Sequence, residues 1–109
     1  VLYDVDKRKV VGKLGTPDIF PNPEGDISLS PNGKWFVNGY KKKNANRFVV
    51  YRRSDGLHAR SEALDKGSYS GDIRIDPATR WNRASNAIVV PGIARNKTRQ
   101  MFVIRVVAP

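Results

Sequence analysis

Twice in this chain an apolar run enters a turn and comes back as a second apolar run. "DISLSPNGKWFVNGY" spans residues 26–40, and a similar piece, "TRWNRASNAIVVPG", spans 79–92. Two copies of one strand–turn–strand unit in 109 residues limit the fold strongly. Each copy must bury a similar face, and the two can do so by stacking on one another. Two registers align the copies. Identity favours an offset of 46, which sets "GDISLSPNGKW" against "GDIRIDPATRW". Strand matching favours an offset of 52, which sets "LSPNGKWFV" against "WNRASNAIV". The smaller offset puts the Phe36–Tyr40 run opposite "NRASN", which is turn material. The larger one puts strand on strand and turn on turn, and is preferred. "VLYDV" at the start then parallels "VVYRR" at 49–53.

Alternating apolar and β-branched residues dominate, and no apolar stripe of helical period occurs. The expected strands are Val1–Val5, Val10–Leu14, Asp26–Ser30, Trp35–Tyr40, Arg47–Arg53, Leu57–Leu64, Arg80–Arg83, Ala87–Ile93 and Gln100–Val107. Asn32-Gly33 suggests a two-residue hairpin turn. "SDG" at 54–56 suggests another tight turn, and "KKKNAN" at 41–46 a polar loop. Three prolines make residues 15–25 a loop, and 65–78 is loop-rich. The fold class expected is all-β: four-stranded antiparallel β-propeller blades of about 50 residues, part of a larger propeller. A β-sandwich of seven or eight short strands is the competing architecture. In the blade assignment residues 1–24 end one blade, 25–70 form a full blade and 71–109 most of the next.

Charge narrows the partners. The chain carries a formal +10, unevenly placed. Residues 27–54 hold seven Lys or Arg and no acid, and residues 77–109 hold six and no acid. Such a field draws nucleic acid, anionic lipid or acidic polysaccharide. A nucleic-acid partner is not expected, because base-stacking aromatics do not stand beside the charges. There is no cysteine, hence no disulfide framework and no Cys-based metal site. No apolar run is long enough to span a membrane as a helix.

Few residues suggest chemistry. His58 follows a turn, near Asp55; as a general base it would need an acid partner and a nucleophile in reach. Asp72 and Asp76 flank Arg74, and if 73–76 is extended the three share one face. That makes Asp72, Asp76 and His58 a candidate polar loop site, against the simpler alternatives of a surface salt bridge and a solvated hairpin tip. Arg74, Arg80 and Arg83 are candidates for anionic-ligand binding, since a guanidinium meets a carboxylate through two parallel hydrogen bonds. The simpler alternative is arginine packed in loops. Trp35 and Trp81 suit core anchors better than sugar platforms. No catalytic residue, metal site or cofactor is assigned.

"SPNGKWFV" followed by "FVVYRR" resembles the Ser-Pro-Asp-Gly-Lys hairpin and following strand of TolB-like propeller repeats. "RWNRASNAIVV" with "RQMFVIRV" resembles the closing blade of bacterial propellers related to oligogalacturonate lyase. The resemblance covers residues 1–107. It implies a periplasmic or secreted bacterial protein, with a non-catalytic binding or scaffold role or, alternatively, part of a lyase acting on acidic oligosaccharide. In the lyase-like propellers a histidine commonly precedes the blade's Trp by three residues, and histidines on such loops hold a divalent metal. That position here is Ala78. A propeller closes with about four to eight blades, and two and a half are expected here. Missing blades or another chain are therefore the expected partners, with a protein or acidic polysaccharide as possible ligand.

Overall fold

A computed structural model describes residues 1–108. The chain is all-β, in three antiparallel sheets that follow one another along the sequence. The first sheet pairs β1 (Leu2–Asp4) with β2 (Lys9–Gly12). The middle sheet runs in the order β3 (Pro23–Leu29), β4 (Trp35–Lys42), β5 (Ala45–Arg52), β6 (His58–Arg60). A short β7 (Leu64–Asp65) also pairs with β5. In the third sheet β9 (Ala87–Ile93) lies between β8 (Arg80–Trp81) and β10 (Arg99–Arg105).

The two hairpins that open the middle and third sheets are built alike, at an offset of 52. The N–H of Ser30 donates to the carbonyl of Trp35 (2.8 Å), as Asn82 does to Ala87 (3.0 Å). Gly33 closes a turn onto Ser30 (2.8 Å), as Ser85 does onto Asn82 (3.1 Å). Gly33 and Ser85 are the left-handed residues of their loops, with φ of 72° and 58°. The Gly-Asp-Ile match does not share structure: Asp26 and Ile27 lie in β3, whereas Gly71–Ile73 is a 3-10 turn.

The hairpin differs from the expected two-residue turn. It is a four-residue loop, Pro31–Lys34, in which only Gly33 has positive φ. Pro31 cannot take the positive φ of a mirror-image turn. Ser30 and Asn32 fix the alternative: the Ser30 hydroxyl donates to Asn32 Oδ1 (2.7 Å) and accepts the Trp35 N–H (3.0 Å). Nor is "KKKNAN" a loop. β4 runs on through Lys42 and β5 starts at Ala45, leaving Lys43-Asn44 as the turn. Asn46 is fully buried there, its amide directed at the carbonyl of Ile75 (3.5 Å). The single strand expected over Leu57–Leu64 is broken into β6 and β7, because the Ser61 hydroxyl accepts the N–H of Phe48 (3.0 Å) in place of a ladder partner.

The core lies between the middle and third sheets. Val37, Phe48 and Val50 from β4 and β5 meet Trp81, Ile88 and Val90 from β8 and β9. Trp35, Leu64, Phe102 and Ile104 flank them. The alternation of strand side chains selects this set. Gly39 lets the stack close up, since a Cβ there would lie 2.4 Å from Pro77 Cβ. Two polar ties join the layers. Trp81 Nε1 donates to the carbonyl of Ser28 (2.9 Å), and the Asn32 N–H donates to Ser85 Oγ (3.1 Å). On the opposite face of the middle sheet Phe20 stacks on Phe36 and Tyr51 leans tilted against both, with ring centroids 5.1–5.8 Å apart. Beyond them a cleft of about 700 Å³ separates this face from Leu2 and Leu14.

Candidate functional site

Arg74, Arg80 and Arg83 do not converge through any shared partner. Arg74 Nε donates to Asp76 Oδ1 (3.0 Å) and its Nη1 to the carbonyl of Gly71 (3.0 Å). Arg80 is an exposed residue of β8, paired with Val89, and Arg83 sits exposed in the loop before β9. The arginine that does join Arg74 is Arg99, at the start of β10. The two line one cleft of about 380 Å³ with Ile75, Pro91, Gln100 and Met101. Arg99 lies over the ring of Tyr69, 4.4 Å from its centroid, and donates to the carbonyl of Ile73. Its place depends on how the 66–74 segment folds against the β9–β10 hairpin, which no local pattern in the sequence discloses.

Asp72, Arg74 and Asp76 do not form one extended face. Asp72 lies in the 3-10 turn, and only Asp76 pairs with Arg74. His58 is likewise apart from both. It is exposed at the start of β6, with its Nδ1 3.0 Å from the carbonyl of Gly56 and its ring stacked on Tyr51. Asp55 is not its acid partner. The Asp55 carboxylate takes two bonds from Arg52 (2.9 and 2.7 Å) and the N–H of Leu57 (3.1 Å).

Those bonds, Arg52's first, lower the Asp55 pKa from 3.8 to about 2. A carboxyl whose folded-state pKa is depressed stabilises the fold above its unfolded value and loses that contribution as pH falls. The 52–57 hairpin is therefore expected to weaken between about pH 4 and pH 2. A carboxyl-detected NMR titration should find the Asp55 midpoint near 2. In Arg52→Ala it should rise toward the ordinary carboxylate value; a midpoint that stays put would contradict the pairing.

Ala78, where the resemblance implies a histidine, borders a cleft of about 450 Å³ with Glu24, Asp26, Asp76 and Lys41. Lys41 Nζ is 2.8 Å from Glu24 Oε2, so one of these carboxylates is already neutralised. Among the described residues no group of three or more His, Asp or Glu side chains is placed to hold a metal ion. Trp81 is a core residue, 8% exposed, as expected. Trp35 is half-buried under the Arg52 guanidinium, 5.5 Å from its ring. No helix among the described residues is long and apolar enough to cross a membrane.

Among the described residues β10 pairs with β9 alone. With β5 matched to β10 at an offset of 53, Phe48, Val50 and Arg52 correspond to Met101, Val103 and Arg105. Compared with known proteins, the chain matches no family model, no curated protein and no solved structure.

Proposed function

We propose that this chain is a non-catalytic binding or scaffold part of a TolB-like β-propeller, working outside the bacterial cytoplasm. One observation carries this: the outward face of the third sheet repeats, position for position, the face of the middle sheet that the third sheet covers. Trp35, Val37 and Gly39 on β4, with Phe48 and Val50 on β5, become Ala87, Val89, Pro91, Met101 and Val103. The first set is packed against a neighbouring sheet, whereas Met101 and Val103 are 62% and 59% exposed. A contiguous apolar surface of this kind favours a further layer. Missing blades or another chain would supply it.

The neutral dye Nile red should bind this face, and the pair Met101→Ser, Val103→Ser should at least halve the bound fluorescence. No uptake by the chain, or uptake unchanged in the variant, would contradict an exposed stacking face. A second function, part of a lyase acting on oligogalacturonate, is favoured by the Arg74–Arg99 cleft, because paired guanidiniums suit uronate carboxylates. The two separate in one assay. Incubation with oligogalacturonate should give no unsaturated-uronide absorbance; a rise abolished by chelator would establish the lyase and remove the non-catalytic reading.

A further inference from the structure

At one end of the two stacked sheets the turn tips gather positive charge. In the middle sheet the turn from β4 to β5 is Lys43-Asn44, with Lys42 as the last residue of β4. In the third sheet the turn from β9 to β10 is "ARNKT", residues 94–98. There the N–H of Ala94 donates to the carbonyl of Thr98 (2.9 Å), and that of Lys97 to Ala94 (2.9 Å). Lys43 and Lys97 are the left-handed residues of these turns, with φ of 56° and 65°. The Asn32–Ser85 bond holds the opposite tips together, and the sheets run side by side from there. At this end β7 links them. It pairs with Ala45 and Asn46 of β5, while the carbonyl of Asp65 is 3.4 Å from where a Cβ on Gly92 would stand. Lys66 comes next, its N–H donating to the carbonyl of Asn44 (2.9 Å). A Cβ on Gly67 would then meet Ile93 Cγ1 at 3.8 Å. Lys42 and Lys43 thus stand on one tip, Arg95 and Lys97 on the next, and Lys66 between them.

Among the described residues none of these five cations is in an ion pair. Lys42, Lys43, Arg95 and Lys97 are exposed, and Lys66 is half-buried. Glu24 is neutralised by Lys41 (2.8 Å), and Asp65, which accepts the Gly67 N–H (2.7 Å), offsets one charge of the five. Shape selects the partner. The five cations project from turns and line none of the clefts described above. A single-stranded polymer is gripped in a groove with stacking rings, and neither tip contains an aromatic residue. Neither contains a large apolar residue, so the tips lack the means to insert as an amphipathic anchor does. Cations standing side by side suit an extended plane of negative charge, which attracts each Lys or Arg without forming a pocket around it.

We propose that this end of the sheet stack rests on an anionic lipid bilayer, with Lys42, Lys43, Lys66, Arg95 and Lys97 among the phosphate headgroups and no side chain entering the hydrocarbon. The inference goes beyond the scaffold function, since the tips belong to neither stacking face. The probe is a vesicle of phosphatidylglycerol and phosphatidylcholine in equal parts, sedimented with the full chain. The chain should bind it at low salt, leave it as salt is raised, and ignore vesicles of phosphatidylcholine alone. Two variants each neutralise one tip: Lys42→Gln with Lys43→Asn, and Arg95→Gln with Lys97→Asn. Asparagine tolerates the left-handed φ of both turns. Each charge at a bilayer surface is worth about fivefold in binding, so each pair should cost at least about tenfold. Lys9→Gln with Lys34→Gln removes the same charge from β2 and the opposite tip, and should change binding less than about twofold. Equal losses from all three pairs would reduce the effect to net charge and overturn the proposal. So would no binding of the unaltered chain to the anionic vesicles, or binding that survives high salt. Polygalacturonate and duplex DNA are the competitors. Either one stripping the chain from the vesicles, and losing its own hold in both tip variants, overturns the bilayer in its favour. The salt and neutral-lipid arms use the unaltered chain, so the test survives a variant that fails to fold.

Discussion

Phe48→Ala is expected to lose about 3–5 kcal/mol of folding stability, the usual cost of removing a buried phenylalanine ring. Phe48 is 0% exposed and belongs to the cluster shared by the middle and third sheets. Its ring also lies where a Cβ on Gly39 would approach within 3.2 Å, so it fills space that the neighbouring strand has vacated for it. A domain of this size holds roughly 5–15 kcal/mol in all, so the loss is a large share of the total. Urea denaturation followed by tryptophan fluorescence should show the midpoint falling, with Trp81 reporting directly from the affected layer. A change below about 1 kcal/mol, the range of surface substitutions, would mean that the sheets do not dock through this residue.

Trp81 separates packing from hydrogen bonding at the same junction. Trp81→Ala removes the indole from the core and should cost about 3–5 kcal/mol. Trp81→Phe keeps most of the ring and removes only the Nε1–H, leaving the half-buried Ser28 carbonyl without its donor across the sheets. That should cost about 1 kcal/mol. The two values are expected to differ severalfold. If Phe and Ala were equally damaging, the hydrogen bond to Ser28 and not the packed ring would be joining the layers.

Turn chemistry explains what the sequence disclosed. The hairpin at residues 30–35 and its copy at 82–87 were legible because loops of this kind need particular residues: one tolerant of positive φ, Gly33 or Ser85, and Ser or Asn side chains to hold the backbone, with Pro31 fixing φ in the first copy only. Alternation then gave the strands and the all-β class. The loop length was misread because Asn-Gly suits several turns, and Pro31 decides among them only together with the Ser30–Asn32 hydrogen bond. "KKKNAN" looked like loop because three lysines are exposed or end-of-strand residues, while the buried Asn46 is polar and gave no apolar signal.

The candidate sites fared differently, for a physical reason. Arg74, Arg80 and Arg83 are near in sequence, but β8 and the loop after it carry the last two away from the Arg74–Asp76 pair. The arginine that shares a cleft with Arg74 is 25 residues on, brought there by the packing of one segment against a hairpin. Strand patterns report which side of a sheet a residue occupies. They carry no information on which sheet faces which, and the Arg74–Arg99 cleft is set at that level.

The central claim is that the two repeated sheets stack through one shared apolar layer. Nuclear Overhauser contacts in the full chain test it most directly. The stacked arrangement predicts cross-peaks linking Val37, Phe48 and Val50 with Trp81, Ile88 and Val90, and an indole N–H of Trp81 that exchanges slowly with solvent. A Trp81 indole proton that exchanges freely, with contacts from each sheet confined to its own strands, would contradict it.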